Sequence, residues 1–231
     1  MASSKTVLIT GGTGGLGRAV TLAFLQQGAN VIVTYRKAEE FNSLKDQPRL
    51  QGFQVDVTDE SAVLHLIDDI FGKYARLDSL VNTVGGYVGG VKLWDTDPKM
   101  LEQMFSLNLR SGYVLSRAVV PVMIKQGSGS IVNIAAKSGL DHPAGASAYA
   151  ASKAAAIAMM DSLAADLRGT GVRVNSVLPS IIDTEPNRKA MPKADFSKWP
   201  KPDDIAKVIL FLCSDDANVI HGASIPVYGA A

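Results

Sequence analysis

The sequence predicts an α/β protein built on a doubly wound parallel sheet, and three observations carry that expectation. Short apolar, β-branched runs alternate with longer stretches of helical period along the whole chain. The first such run ends in a glycine-rich turn, Thr10-Gly11-Gly12-Thr13-Gly14-Gly15-Leu16-Gly17, which leads directly into a helical pattern. Strand-like runs separated by helices are joined by right-handed crossovers, which make the sheet parallel and cover both of its faces.

The elements follow in order. Residues 6–10, Thr-Val-Leu-Ile-Thr, are apolar and β-branched and read as a buried strand. After the glycine turn, residues 16–27 carry apolar side chains at 16, 19, 20, 23 and 24, the spacing of one helix face. Residues 31–34 give a second strand, and residues 50–55 a weaker third ending at Asp56. A helix over 60–74 leads to a fourth strand over 80–83. A long helix over 100–125 stops near Gly127, where a missing Cβ eases the left-handed closure of a helix. A fifth strand spans 130–135, an Ala-rich helix over 148–168 ends at Gly169 and Gly171, and a sixth strand spans 172–178. A helix over 202–213 and a seventh strand over 223–227 complete the pattern. The exception is 183–200, a polar stretch with Pro186, Pro192 and Pro200 and no clean period. A loop of that length in a compact domain is functional or mobile, and it is assigned here to a lid over the substrate. No repeat or low-complexity linker interrupts the pattern, so residues 1–231 read as one domain.

Composition narrows the function. The chain has 231 residues, with 23 Lys+Arg against 22 Asp+Glu. Such a balance argues against nucleic-acid binding, which needs a concentrated positive face. Hydrophobic residues at 47% and charged ones at 19% exclude a disordered tail. No apolar run approaches the roughly 20 residues of a membrane span, and Met1-Ala2-Ser3-Ser4-Lys5 enters the first strand without an apolar signal segment. The lone Cys213 excludes an internal disulfide and points to a reducing compartment, so a cytoplasmic protein without membrane contact is expected. It reads as a buried helix residue rather than a nucleophile. His65, His142 and His221 show no metal-ligand spacing, and no metal is expected.

The glycine turn parses in two registers, with Gly12, Gly14 and Gly17 as G-x-G-x-x-G, or Gly11, Gly15 and Gly17 as T-G-x-x-x-G-x-G. Either way the backbone must turn sharply and approach a diphosphate whose charge the N–H groups of a helix start stabilise. Its position between a strand and an amphipathic helix is the context that gives the motif meaning. Gly11, Thr13, Gly14, Gly15, Leu16 and Gly17 are therefore expected to hold a dinucleotide. At the end of the second strand, where an acid would accept from a ribose 2′-OH, the chain reads Thr34-Tyr35-Arg36-Lys37. A guanidinium there pairs with a 2′-phosphate, which favours NADP(H) over NAD(H).

Tyr149 and Lys153 form the only Tyr-x-x-x-Lys in the chain. On a helix, that spacing projects both side chains from one face. They open the helix after the fifth strand, beside the carboxyl edge of the sheet where open α/β sheets bind ligands. A phenol with a free pKa of about 10 is a poor proton shuttle at neutral pH. A nearby ammonium and an oxidised nicotinamide are expected to lower that pKa, and Lys153 to hold the nicotinamide ribose.

Together these residues resemble the short-chain dehydrogenase/reductase family, over essentially the whole chain. The matching positions are the glycine turn, Asp56-Val57, Asn82 and Gly85 in a variant of the family's N-N-A-G, Asn108, Tyr149-x-x-x-Lys153, and Pro179 through Thr184. The resemblance implies a Rossmann-like domain in which Asp56 and Val57 border the adenine and Asn82 and Gly85 line the dinucleotide. It also implies that Pro179, Ile182 and Thr184 approach the nicotinamide carboxamide, and that Asn108 organises a water next to Lys153. One departure stands out. Most members carry a Ser thirteen residues before the active Tyr to polarise the substrate carbonyl, and that position is Ala136 here. Ser138, two residues on, lies roughly 7 Å along an extended segment and is no simple replacement.

Dihydropteridine reductases, which lack that Ser, are similar at three less common places. These are the loop Gly85-Gly86-Tyr87-Val88-Gly89-Gly90, Ala136-Lys137 followed by Leu140-Asp141, and the run from Leu178 and Asp183-Thr184 through Asn187-Arg188-Lys189-Ala190-Met191-Pro192 to Trp199. The animal enzymes use NADH and carry an acid where this chain has Thr34 and Tyr35. The resemblance implies a reductase taking hydride from nicotinamide, with Tyr149 as proton donor and a quinonoid dihydropterin or similar flat compound as acceptor. Tyr87 and Asn187 are candidates to meet that substrate, Tyr87 by its ring face or edge or merely as a lid on its loop. Trp199 belongs to the lid or anchors it to the core. Two alternatives stand beside this reading: a general carbonyl reductase, and a non-catalytic module that binds NADP. The Ala run at 154–156 and Met159-Met160 form a packing face suited to a homodimer or homotetramer.

Overall fold

Seven strands in the order β3-β2-β1-β4-β5-β6-β7, all parallel, form the middle layer of the protein, whose computed structural model describes residues 4–230. The strands are β1 (Thr6–Thr10), β2 (Asn30–Tyr35), β3 (Leu50–Gln54), β4 (Ser79–Asn82), β5 (Gly129–Ile134), β6 (Val172–Pro179) and β7 (Ser224–Val227). The helices are α1 (Gly15–Gln26), α2 (Ala38–Asn42), α3 (Glu60–Tyr74), α4 (Pro98–Phe105), α5 (Ser111–Gln126), α6 (Ser138–Asp141), α7 (Ser147–Asp166), α8 (Glu185–Ala190) and α9 (Pro202–Leu212).

Strand side chains alternate between two apolar layers. Leu8, Ile32, Leu80, Ile131 and Val174 join one core with residues of α3, α5 and α7. Val7, Ile9, Val31, Val33, Val81 and Val132 join the other with α1 and α9. Because both faces are dry there, the central strands β1 and β2 read as nearly continuous apolar runs, whereas the edge strand β3, with no buried residue, reads Leu-Gln-Gly-Phe-Gln. The winding reverses at β1, which pairs with β2 on one side and β4 on the other. The loops leaving β1 and β4 therefore diverge and open a crevice at the carboxyl edge of the sheet.

Four expectations differ from the structure. The long helix over 100–125 is two helices, α4 and α5, joined by a π-helical turn, Ser106–Arg110. The wider turn keeps the chain helical while rotating the face that follows, so apolar spacing alone does not expose it. The helix also starts two residues early, because Asp97 accepts from the backbone N–H of Lys99 at 2.9 Å and Pro98 takes the first turn. The one-turn helices α2 and α6 are too short to show a period. The stretch 183–200 is not plain loop. It holds α8 and a 3₁₀ turn, Phe196–Lys198, and its ends are tied by the N–H of Asp183 donating to the carbonyl of Pro200 at 3.0 Å. Trp199 is buried against Phe196, with 4.9 Å between ring centroids, and so anchors this stretch.

Cys213 is buried at the end of α9, where desolvation pushes its thiol pKa up. His221 is a structural bridge. Its Nδ1 accepts from the N–H of Val174 at 3.2 Å, and its Nε2 lies 2.7 Å from the carbonyl of Ala164. No helix among the described residues is long and apolar enough to cross a membrane.

Candidate active site

The glycine turn is held from below by β2. The N–H of Gly11 donates to Thr34 Oγ1 at 3.1 Å, and that of Gly12 to the Thr34 carbonyl at 3.2 Å. Gly11 has φ +67°, a conformation costly for any residue with a Cβ. A Cβ on Gly12 would lie 2.4 Å from Val33 Cγ1, and one on Gly17 would lie 2.0 Å from the Gly11 carbonyl oxygen. The required glycines thus come from both sequence registers, whereas a Cβ on Gly14 would meet nothing closer than 3.5 Å. Gly14 instead begins α1 with no side-chain cap, and the first turn of α1 carries no acid. Among the described residues, the first N–H groups of α1 have no side-chain acceptor, which fits a docked diphosphate.

Around this turn lie the residues expected at the adenosine end. Arg36 is exposed immediately after β2. Asp56 follows β3, and its Oδ1 accepts from the N–H and the hydroxyl of Thr58 at 2.9 and 2.7 Å. Those hydrogen bonds, helped by the charge of Arg36, hold its carboxyl pKa below the usual value. Val57 is buried in the core beneath it. Asn82 is buried as well. Its Oδ1 accepts from Thr10 Oγ1 at 2.7 Å and its Nδ2 donates to Asn133 Oδ1 at 3.0 Å. Its side chain therefore ties β1, β4 and β5 together under the crevice.

The catalytic candidates converge from three elements. Tyr149 stands in the first turn of α7, and Lys153 one turn later is 5% exposed. Lys153 Nζ donates to the carbonyl of Ile134, at the end of β5, at 2.8 Å. A Cβ on Gly85 would lie 2.9 Å from Asn108 Oδ1 and 3.3 Å from Lys153 Nζ, so only glycine lets the loop after β4 pass between them. Asn108 sits on the π-helical turn and is saturated. Its Oδ1 accepts from the N–H of Gly86 at 2.9 Å, and its Nδ2 donates to the Gly86 carbonyl at 3.1 Å and to Ser152 Oγ at 3.0 Å. Ser152 Oγ in turn donates to the Tyr149 carbonyl at 2.7 Å.

Burial sets the protonation of this pair. Burial, with a smaller push from Tyr87, raises the Tyr149 phenol to about 12, and burial pulls the Lys153 ammonium down to about 8. The Lys153 ammonium faces the Ile134 carbonyl, and desolvation dominates both groups.

Ala136 is buried at the end of β5's extension. The chain leaves the extended form at Lys137 (φ −50°, ψ −41°) and Ser138 opens α6, so the extended spacing assumed between Ala136 and Ser138 does not hold. The Tyr87 ring is 64% exposed and meets Tyr149 edge to face, with 4.9 Å between centroids and 78° between planes. Its loop is fastened by the N–H of Gly90 donating to the Gly145 carbonyl at 2.9 Å.

After β6, which ends at Pro179, the chain turns back over the glycine turn. A Cβ on Gly15 would lie 2.9 Å from Thr184 Cγ2. Ile182 is half-buried against the α1 and α9 core. Asn187 Nδ2 donates to the Ile182 carbonyl at 2.8 Å, so this side chain braces the segment carrying Ile182 and Thr184. Arg188 forks onto Asp183 through Nε at 2.5 Å and Nη2 at 2.8 Å. Sequence reasoning missed Thr34, Thr83 and Ser152. Thr83 donates to the Thr10 carbonyl at 2.6 Å and crowds Gly17. The available signal was a hydroxyl residue inside an apolar strand or an Ala-rich helix, where burial demands a polar partner.

Known proteins are similar to this chain in sequence and fold. The model of the short chain dehydrogenase family matches residues 5–195. The 3-oxoacyl-[acyl-carrier-protein] reductase FabG of Thermotoga maritima is 35% identical over 238 residues, covering 97% of this chain and 96% of the relative. Meso-2,3-butanediol dehydrogenase of Serratia marcescens is 32% identical, covering 99% of this chain and 94% of the relative. The solved structure of ElxO with NADP bound superposes with a TM-score of 0.92 at 31% identity, covering 98% of each chain.

Proposed function

The chain belongs to the short chain dehydrogenase family and is an NAD(P)-dependent oxidoreductase, and on that premise we propose that it is an NADP(H)-linked reductase of a flat, conjugated substrate such as a quinonoid dihydropterin. The observation that carries the substrate reading is the exposed Tyr87 ring set edge to face on Tyr149, in a crevice where Ala136 offers no second hydroxyl. A planar acceptor can lie against Tyr87. An electron-poor conjugated system needs less polarisation than a simple ketone and tolerates the absence of a hydroxyl at 136.

The glycine turn and the start of α1 hold the diphosphate, Arg36 the 2′-phosphate, Lys153 the ribose, and Ile182 and Thr184 the carboxamide. A reduced nicotinamide supplies the hydride when bound. Tyr149 gives its phenolic proton to the substrate atom that gains electron density. At about 12, this phenol stays protonated at every working pH, so the donor is always loaded. Asn108, fastened to both backbone groups of Gly86, keeps the neighbouring Gly85 and the loop after β4 against Lys153. The stretch 183–200 closes over the substrate.

A second reading, a general carbonyl reductase, is favoured by the relatives themselves, which are named a 3-oxoacyl reductase and a butanediol dehydrogenase. The two separate in one assay. The purified protein is mixed with NADPH or NADH and a quinonoid dihydropterin generated in situ, beside a panel of ketones. Pterin turnover supports the first reading, ketone turnover alone the second, and turnover of neither overturns the substrate assignment. Assembly as a homodimer or homotetramer is proposed through the groove that Phe105, Leu109 and Tyr113 share with Ala155 and Met159. Light scattering of the purified chain tests it.

A further inference from the structure

The helix α2 lies beside the glycine turn and is linked to it through one side chain. Thr13 Oγ1 donates to Glu40 Oε2 at 2.9 Å. A second link ties α2 to α1: Arg18 Nη1 donates to Ser43 Oγ at 2.7 Å, and Ser43 Oγ donates to the Glu40 carbonyl at 2.8 Å. The ring of Phe41 fixes the orientation of α2. It stacks on Tyr35 at the end of β2, with 4.8 Å between centroids and 3° between planes, and it covers Gly52, where a Cβ would lie 2.3 Å from the ring. Glu40 is thus held at its place by its neighbours.

That place coincides with the ribose end of the crevice. In doubly wound folds the ribose 2′ position lies at the end of the second strand. Here the Gly11 and Gly12 amides contact Thr34 in that strand, so Thr13 and Arg36 each stand within two residues of the contact. The charges gathered there are Arg18, Arg36 and Lys37 against Glu39, Glu40 and Asp56. Asp56 is engaged by Thr58, leaving Glu40 as the carboxylate hydrogen-bonded to the turn itself.

We propose that Glu40 is a specificity-determining residue that works against a phosphorylated ribose: its carboxylate occupies the Thr13 hydroxyl and must withdraw before a 2′-phosphate reaches Thr13 and Arg36. The proposal rests on the NADP(H) reading above and adds an opposing group to it. A phosphate monoester carries roughly −1.5 to −2 charges near neutral pH. An exposed carboxylate at the same hydroxyl therefore repels it, and the repulsion is screened by salt. An unphosphorylated ribose meets no such repulsion. The chain accordingly retains use of NADH beside NADPH, and Arg36 and Glu40 set the ratio between them.

The test is calorimetric titration of the full chain with adenosine 2′,5′-bisphosphate and with 5′-AMP. Glu40→Gln should tighten the bisphosphate by about three- to tenfold and 5′-AMP by less than twofold, in line with the small energies of exposed charge pairs. The gain should fall by half or more on going from low salt to about 0.5 M. Glu40→Ala, which also frees Thr13, should tighten the bisphosphate at least as much. Equal gains for both ligands, no gain, or a loss would overturn the proposal. Arg36→Ala in parallel separates the two readings. If Arg36→Ala weakens the bisphosphate and Glu40→Gln leaves it unchanged, the role of Glu40 falls and the NADP(H) reading stands. If neither substitution discriminates the two ligands, both fall.

Discussion

The rings of Tyr87 and Tyr149 meet edge to face, 4.9 Å apart at their centroids, one largely exposed and the other sheltered beneath it. The outer ring keeps water from the inner phenol and offers a flat surface to whatever enters the crevice. Tyr87→Phe should keep both properties, and KM for a planar substrate should stay within about twofold. Tyr87→Ala should raise that KM about five- to tenfold, matching the loss of one aromatic contact. It should also move the Tyr149 pKa from about 12 back toward 10, read by ultraviolet difference titration.

Tyr149→Phe removes the proposed proton donor and leaves the glycine turn untouched. Turnover should fall by about a hundredfold or more, the range for a lost general acid, while cofactor affinity measured by titration changes less than threefold.

Lys153 makes both activity and stability depend on pH. Its ammonium is lost in the folded protein above about pH 8, so kcat/KM for reduction should decline as pH rises through that value. Tyr149, at about 12, adds no limb below it. For stability the folded pKa lies below the unfolded one. Between about pH 8 and 10.5 the unfolded chain holds a proton that the folded chain has released, and stability rises with pH in that window. The desolvation penalty is fully present below about pH 8. Thermal midpoints should show the wild type gaining on Lys153→Met across that window and running parallel to it at lower pH.

Gly17→Ala and Gly14→Ala form a matched pair. The added methyl at 17 meets a backbone oxygen at 2.0 Å, while at 14 the nearest atom is 3.5 Å away. Overpacking of that kind is worth about 1–3 kcal/mol. Gly17→Ala should lower the melting midpoint by several degrees and abolish dinucleotide binding. Gly14→Ala should leave the midpoint nearly unchanged.

Asn108→Ala breaks the side-chain bonds to both backbone groups of Gly86 and to Ser152. An unsatisfied buried group costs about 1–3 kcal/mol. Amide exchange across 85–90 should accelerate, and kcat should fall more than cofactor affinity, because the loop no longer holds against Lys153.

Residues that act through backbone shape or through spacing on one regular element were legible in the sequence. The glycine turn, the seven strands and the Tyr149–Lys153 pair are of that kind. What escaped depends on tertiary contact. The π-helical turn under Asn108 leaves the apolar period almost intact, so the chain reads as one helix. The Lys153 ammonium could be placed on its helix face, yet its partner, the Ile134 carbonyl, lies on another element. For the same reason the direction of the Tyr149 shift followed from burial, which no spacing reveals. Asn187, a substrate candidate by resemblance, also braces the neighbouring backbone, a contact that its place in a polar stretch does not reveal. Glu40 sat in an ordinary acidic pair, and only the folded chain brings it to Thr13.

The hydrogen bond between Asp183 and Pro200 gives the stretch they bracket a common stem. The two ends of the stretch are thereby held together, so the span between them can vary while β6 and α9 keep their places. On the proposed reading, evolution is left with a cassette: rewriting residues such as Arg188 and Phe196 re-tailors which molecules are admitted, while Thr184, set against Gly15, keeps its post.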